Sequence, residues 1–482
     1  MEGARGRVLR NVALRGMAEL GAKASTLALF MVMGRKLGDQ GVGVYSFALS
    51  TAALATMFAD FGQDQVLTRE VARDHAALPR YYADTMAVRT LVGLPLLAAA
   101  VVVVPLFGYG GQAQLSLLLV GAGVLVDMLA KTTMAVFQAY ERIGYLSSVL
   151  VTERWLLSVG GVVAMVMGAG VVAVSAVFLA AAVVALVLAT ILLRRVVTVP
   201  IRVSPGTWAG LMRTCAPFGL AGFFGAILFR VDATMLAAFT DASTVGNYAV
   251  AYRLFETTLF VSWSINTAFY PVFARSGPGE ERDAATAFEH ALKLGLSAVL
   301  PVAIGFAVLA HPLIRTVFGS GPHSDFGRAP QAVRLLAPAV CFYPVSFLAD
   351  YLILSRKADR KLTALYAAVA VENIVANLIL IPRYSLHGAA ASTSVSEGLS
   401  ALGTILIARR LVGPLDWRRV LAGPVGAALP ATAVLLALRG LVNPLAAAVA
   451  AGLVYAVVLL AIERARHPDD LAALRDMVRR RG

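Results

Sequence analysis

The sequence predicts an all-α integral membrane protein with about fourteen transmembrane helices, on three observations. Of its 482 residues, 59% are hydrophobic and only 15% charged, with a mean hydropathy of +0.76, outside the usage of soluble globular domains. Apolar segments of spanning length follow one another from end to end, leaving no polar domain between them. The basic residues alternate between the two sides of those segments in a strongly unequal ratio.

Windows of about 20 apolar residues place helices near 12–34, 41–62, 84–107, 112–139, 143–168 and 170–193. A second set falls near 212–239, 244–271, 286–310, 329–354, 361–382 and 387–408, and a last pair near 420–438 and 444–463. An even count puts both termini on one side. That side carries 29 of the 42 Lys and Arg residues, the other carries 6, and 7 lie within spans. The positive-inside rule therefore makes both termini cytoplasmic. It also accounts for the net charge of +14 without nucleic acid, since short basic loops sit beside an anionic leaflet. The end of the chain, RARHPDDLAALRDMVRRRG, reads as a basic cytoplasmic tail. Prolines at 95, 105, 217, 271, 301, 338 and 344 interrupt otherwise continuous helices and permit bends.

Several chemistries are absent from the pattern. The N-terminus MEGARGRVLRNVALRGMAEL is basic but lacks a short apolar core ending in a cleavage site, so the first helix is expected to stay. Cys215 and Cys341 lie in apolar segments and read as small core residues rather than a disulfide framework. There is no G-x-x-x-x-G-K-[ST]. The six histidines form no ligand cluster, so no cofactor or metal is expected.

Two stretches about 200 residues apart share a layout: GRKLGDQGVGVYSFALS at 34–50 and AAFTDASTVGNYAVAYR at 237–253. Each ends one helix, turns through a polar segment containing Asp, and begins the next with Gly-x-Tyr (Gly43 and Tyr45; Gly246 and Tyr248). An even number of helices separates the copies, so they are parallel repeats. The natural parse is a six-helix lobe at 1–200, a second at 201–411, two further helices at 412–463 and the basic tail at 464–482.

These stretches, with DFGQDQVLTREVAR (60–73), RVDATML, VGNYAVAYRLFE, NTAFYPVFAR (266–275), ADYLILSRKADRK (349–361) and NLILIPRYSLHGAAAST (377–393), resemble polysaccharide flippases of the multidrug/oligosaccharidyl-lipid/polysaccharide exporter superfamily. The resemblance runs over nearly the whole chain. It implies two bundles forming a V, a central cavity that opens alternately to each side, and transport of an oligosaccharide on polyprenyl diphosphate. It also implies a bacterial inner-membrane location, lipid contacts and work alongside glycosyltransferases and a glycan polymerase. The alternatives are a murein-precursor flippase or drug exporter of the same superfamily, and a membrane-embedded glycan polymerase or ligase. Very short external loops argue against the last.

A charged group at the bilayer centre costs about 2.5 to 3.5 kcal/mol even on lenient scales, so the cations within spans need a purpose. An anionic diphosphate and hydrophilic sugars call for a wet path lined with Arg or Lys. The candidate substrate-binding residues are Arg230, Lys23, Arg253 and Arg334. Arg230 has no sequence-local partner, and lies two residues from Asp232, on another side of the same helix. Lys23 has Glu19 one turn away, and Arg253 has Glu256 at i+3, so each also reads as a structural pair. Arg89, Lys131 and Arg154 read as interface anchors. Among acids, Asp232, Asp60, Asp127 and Glu256 are candidates for ion coupling or ion pairing, with Glu372 and Glu397 in later helices.

Overall fold

The computed structural model describes residues 2–199, 203–275, 281–319 and 325–466, and the side chains of the first twenty residues fall outside that description, Glu19 among them. From residue 467 onward the expected basic tail also lies outside it. Among the described residues the chain is helical apart from short connections. Helix is what a lipid-facing backbone requires, because it satisfies its own N–H and C=O groups within one segment.

Helix α1 (Glu2–Asp60) carries the first two expected spans as one helix bent at Gly38, where φ is 69° and ψ is −168°. A side chain would strain that conformation. The remaining twelve expected spans fall, in order, on α3 (Leu78–Val103), α4 (Gly111–Ala139), α5 (Ile143–Val166), α6 (Val171–Arg194), α7 (Trp208–Phe239), α8 (Ala242–Arg275), α9 (Glu281–Phe318), α10 (Ala329–Ser355), α11 (Asp359–Tyr384), α12 (Leu386–Val412), α13 (Trp417–Leu438) and α14 (Pro444–Arg466). Eleven helices among the described residues are long and apolar enough to cross a membrane. A helix that the hydropathy reading does not anticipate, α2 (Gln63–Arg73), follows α1. Its QDQVLTREVAR sequence is too short and polar to span, yet Val66, Leu67 and Val71 are buried along one face. In α9 the backbone leaves helical geometry at Leu309, one turn before Pro312, which removes a backbone donor and crowds the preceding turn.

The chain forms two compact units. The first comprises Met1–Val250, Val317–Arg328 and Asn373–Ala389, and the second Ala251–Thr316, Ala329–Glu372 and Ala390–Gly482. In the first, Leu67, Val136, Phe137, Val149, Ala185 and Ala189 pack α2, α4, α5 and α6 together. Alanines on the facing helices let backbones approach closely, which is how helices associate where lipid supplies no hydrophobic drive. In the second, Phe273, Phe288, Leu348, Leu352 and Ala408 join α8, α9, α10 and α12.

The last two helices are fastened to α9 by polar contacts. Lys293 forms an ion pair with Glu463 of α14, both nearly buried. Asp416, which caps α13 through the Arg418 and Arg419 amides, donates its own N–H to Glu289 at 2.7 Å. Arg419 contacts His290 at 3.0 Å.

Candidate functional site

The two copies of the repeat meet in the first unit. At Gly43 a Cβ would lie 1.7 Å from the carbonyl oxygen of Ala242, and at Gly246 one would lie 1.9 Å from the carbonyl oxygen of Asp39. No side chain fits at either place, so the helix starts cross backbone to backbone, reciprocally. Around the crossing Asp39 is buried, accepts a hydrogen bond from the Ser243 hydroxyl and lies 3.4 Å from the Asp325 amide. Asn247 donates to the Asp325 carbonyl at 2.9 Å and accepts from the Arg328 amide at 3.2 Å. Beside it a cavity of about 630 Å³ is lined by Gln40, Val44, Tyr109, Gln112, Thr240 and Asp241. Tyr109 stacks on Phe47 with ring centroids 4.2 Å apart.

The second tyrosine of the repeat leads directly to a candidate acid. Tyr248 is buried and donates its hydroxyl to Asp232, which is 1% exposed and also accepts from the Ala233 amide at 2.6 Å. Arg230, two residues earlier on α7, is half-buried and has interactions of its own. Arg253 and Glu256 form the i, i+3 ion pair that their spacing suggests, each with a side chain 17% exposed. Lys23 is half-buried on α1, and Arg334 is exposed on α10.

Asp60 and Asp127 occupy separate ionic clusters of the first unit, and α4 connects to both. Residues four apart stack on one helix face, so Met128 and Thr132 form one stripe and Asp127 and Lys131 the adjacent one. Toward the first stripe reaches Arg89 of α3, 1% exposed, which donates to the Met128 carbonyl at 2.7 Å and to the Thr132 hydroxyl. Its guanidinium also pairs with Asp60 and, at 2.9 Å, with Asp64 of α2. Arg89 is thus no interface anchor. The sequence reading missed this because Asp60 ends α1 and Asp64 follows the turn into α2, so neither acid shares a helix with Arg89. On the second stripe Lys131 pairs with Asp127 at 2.9 Å, so it too is held by a carboxylate rather than by the interface. Glu153 of α5, which the sequence pattern did not single out, lies against the same Asp127.

In the second unit two further acids, Asp350 and Glu372, are held by hydroxyl groups. Tyr366 donates to Asp350 at 2.7 Å, and Ser396 to Glu372 at 2.8 Å. No group of three or more His, Cys, Asp or Glu residues suited to a metal occurs among the described residues. The arrangement consists of fixed charges, hydroxyl relays and one tight helix crossing.

These features define a polytopic helical membrane protein. A family model described as polysaccharide biosynthesis protein matches residues 8–276, and the chain belongs to that family, within the same exporter superfamily that its motifs resemble. A relative from Haloferax volcanii, named as a probable low-salt glycan biosynthesis flippase, is 21% identical over 381 residues, covering 78% of each chain. Among solved structures, the lipid II flippase MurJ in an inward closed conformation superposes with a TM-score of 0.79 at 13% identity, covering 94% of this chain and 99% of the other. An inward-facing multidrug resistance transporter of the MATE family gives 0.66 at 15% identity, over 82% and 94%. The fold is therefore that of these transporters, in a multi-pass membrane protein of the polysaccharide biosynthesis family.

Proposed function

We propose that the chain is a flippase that carries a polyprenyl-diphosphate-linked oligosaccharide from the cytoplasmic to the outer leaflet of a bacterial inner membrane by alternating access. The observation that carries this reading is the reciprocal crossing at Gly43 and Gly246, one copy of the repeat from each expected lobe, 1–200 and 201–411. By the charge rule the crossing lies at the outer ends of its helices. Two backbones in direct contact, with small polar side chains around them, form a seal that separates without dragging bulky groups through the membrane. A seal of that kind suits a solute too large for a permanent pore.

In this scheme Arg230, Lys23, Arg253 and Arg334 meet the diphosphate and sugars during passage, and the polyprenyl tail stays in lipid. Asp60, Asp127, Asp232 and Glu256 hold ion pairs or modulate the return of the empty carrier. Glycosyltransferases supply the cargo on the cytoplasmic side, and a glycan polymerase takes it outside. The driving force is the membrane potential: with the interior negative, outward movement of an anion gains about 2.3 kcal/mol per charge per 100 mV.

In proteoliposomes holding lipid-linked oligosaccharide, an imposed potential is expected to change the initial translocation rate, and reversing its sign to reverse the effect. A rate that ignores the potential but follows a proton or sodium gradient would overturn the driving force. Transport of a murein precursor or a cationic drug in its place would overturn the substrate. Arg230→Ala is expected to abolish translocation at normal protein level, with Arg230→Lys retaining part of it. Tags at residues 356–361 are expected on the cytoplasmic face and one at Gly110 outside.

A further inference from the structure

Glu153 is the least accommodated acid of the first unit. It is 1% exposed in the middle of α5, and both carboxylate oxygens are buried with no hydrogen-bond donor. Oδ1 of Asp127 is likewise buried without a donor, although Oδ2 of the same carboxylate pairs with Lys131 at 2.9 Å. The two carboxyl groups lie within hydrogen-bonding reach of each other. Two carboxylates cannot hydrogen-bond, since each only accepts. Two ionised carboxylates in contact at low dielectric also repel strongly. One proton between them removes both difficulties: the protonated acid donates, the ionised one accepts, and two of the three orphaned oxygens become a hydrogen-bonded pair.

We propose that Asp127 and Glu153 form a proton-binding site, a carboxyl–carboxylate pair that holds one proton in this conformation and releases it when α4 and α5 shift. The charged groups around it define the consequence. From α4 comes Lys131, its side chain 46% exposed, and from α5 Arg154, which has partners of its own. On the adjacent stripe of α4 lies Arg89 of α3, matched by Asp60 of α1 and Asp64 of α2, and α6 has no ionisable residue before Arg194 at its end. With the proton bound, the set Asp127, Glu153, Lys131 and Arg154 carries one net positive charge; once the proton leaves, it is neutral. A proton at this site therefore favours an anion nearby, and its departure weakens that attraction. On the flippase reading this couples release of an anionic headgroup to deprotonation of the pair, and it makes the proton the ion that modulates the return.

The test uses the full-length protein in membranes and infrared difference spectroscopy across a pH titration. A protonated-carboxyl stretching band that fades as pH rises is expected in the wild type and lost in Glu153→Gln, where an amide supplies the donor permanently. A difference spectrum unchanged by Glu153→Gln overturns the proposal. Should that variant fold poorly, the wild type is treated with dicyclohexylcarbodiimide, which attacks protonated carboxyls in apolar surroundings, and the adducts are mapped by mass spectrometry. Labelling at Glu153 or Asp127 that declines with rising pH is expected; no labelling of either at any pH overturns the site. If the flippase reading fails, lipid-linked oligosaccharide does not cross while band and label persist. If the proton site fails, translocation persists and band and label are missing.

Discussion

The two copies of the repeat share a close approach at glycine and differ in the groups that their tyrosines meet. In the first, Tyr45 is 2% exposed and sets its ring against the edge of Phe30, with centroids 5.9 Å apart. In the second, Tyr248 is 1% exposed and delivers its hydroxyl to Asp232. The shared parts are the glycines, each pressed against the other copy's carbonyl. Duplication thus retained the close approach, which tolerates no side chain. The tyrosines, buried in both copies, meet different groups: the first sets its ring against Phe30 and the second reaches Asp232. In the second copy the crossing is wired to a buried carboxylate.

The largest effect is expected at the shared glycines. Gly43→Leu and Gly246→Leu each place a side chain on a backbone carbonyl, so the crossing cannot close and translocation is expected to vanish with the protein still inserted, as read by a liposome assay and membrane protein level. Equal transport in both variants and wild type would mean the crossing never has to form.

Next comes Tyr248→Phe, which leaves the ring but strips a donor from buried Asp232. The loss is expected to be about 1.5 to 3 kcal/mol, the range for a hydrogen bond to a charged group, measured as thermal stability in detergent. The Asp232→Asn, Tyr248→Phe double variant should then cost much less than the sum of its singles. Ser243→Ala removes the hydroxyl on Asp39 at a half-exposed place, and about 1 kcal/mol is expected there. Smallest is the coupling of Arg253 with Glu256, about 0.5 kcal/mol for a pair one helical turn apart, obtained from a double-mutant cycle. A coupling several times larger would mark the pair as part of a desolvated network.

The spans were legible because hydropathy and the basic-residue asymmetry are one-dimensional signals, and the repeat because Gly-x-Tyr recurs after a turn containing Asp. Helix α2 was hidden, since QDQVLTREVAR buries its apolar face against other helices while its composition stays polar. The pair of Arg253 with Glu256 follows from i+3 spacing, and Asp127 with Lys131 obeys the i+4 rule although Lys131 was read as an interface anchor. Pairs between helices follow no such spacing. Arg89 finds Asp60 and Asp64 only after α3 folds back along α1 and α2. Glu153 was overlooked for a related reason: Arg154 is its neighbour in sequence, but adjacent residues on a helix point about 100° apart. Its partner is on α4.

The ion pair between Lys293 and Glu463 sets a schedule for synthesis. Its members are separated by 170 residues, which at roughly 5 to 20 residues per second leaves Lys293 waiting about 10 to 30 s for its acid to emerge. Until then α9 enters the membrane with an ammonium group that nothing on α14 can match, so the second unit completes only when the last helix arrives. The terminal hairpin is therefore a clasp rather than an ornament. Ending the chain after α12 would take away the carboxylate that pairs with this nearly buried cation, and a lower thermal stability of such a shortened chain in detergent is the expected outcome.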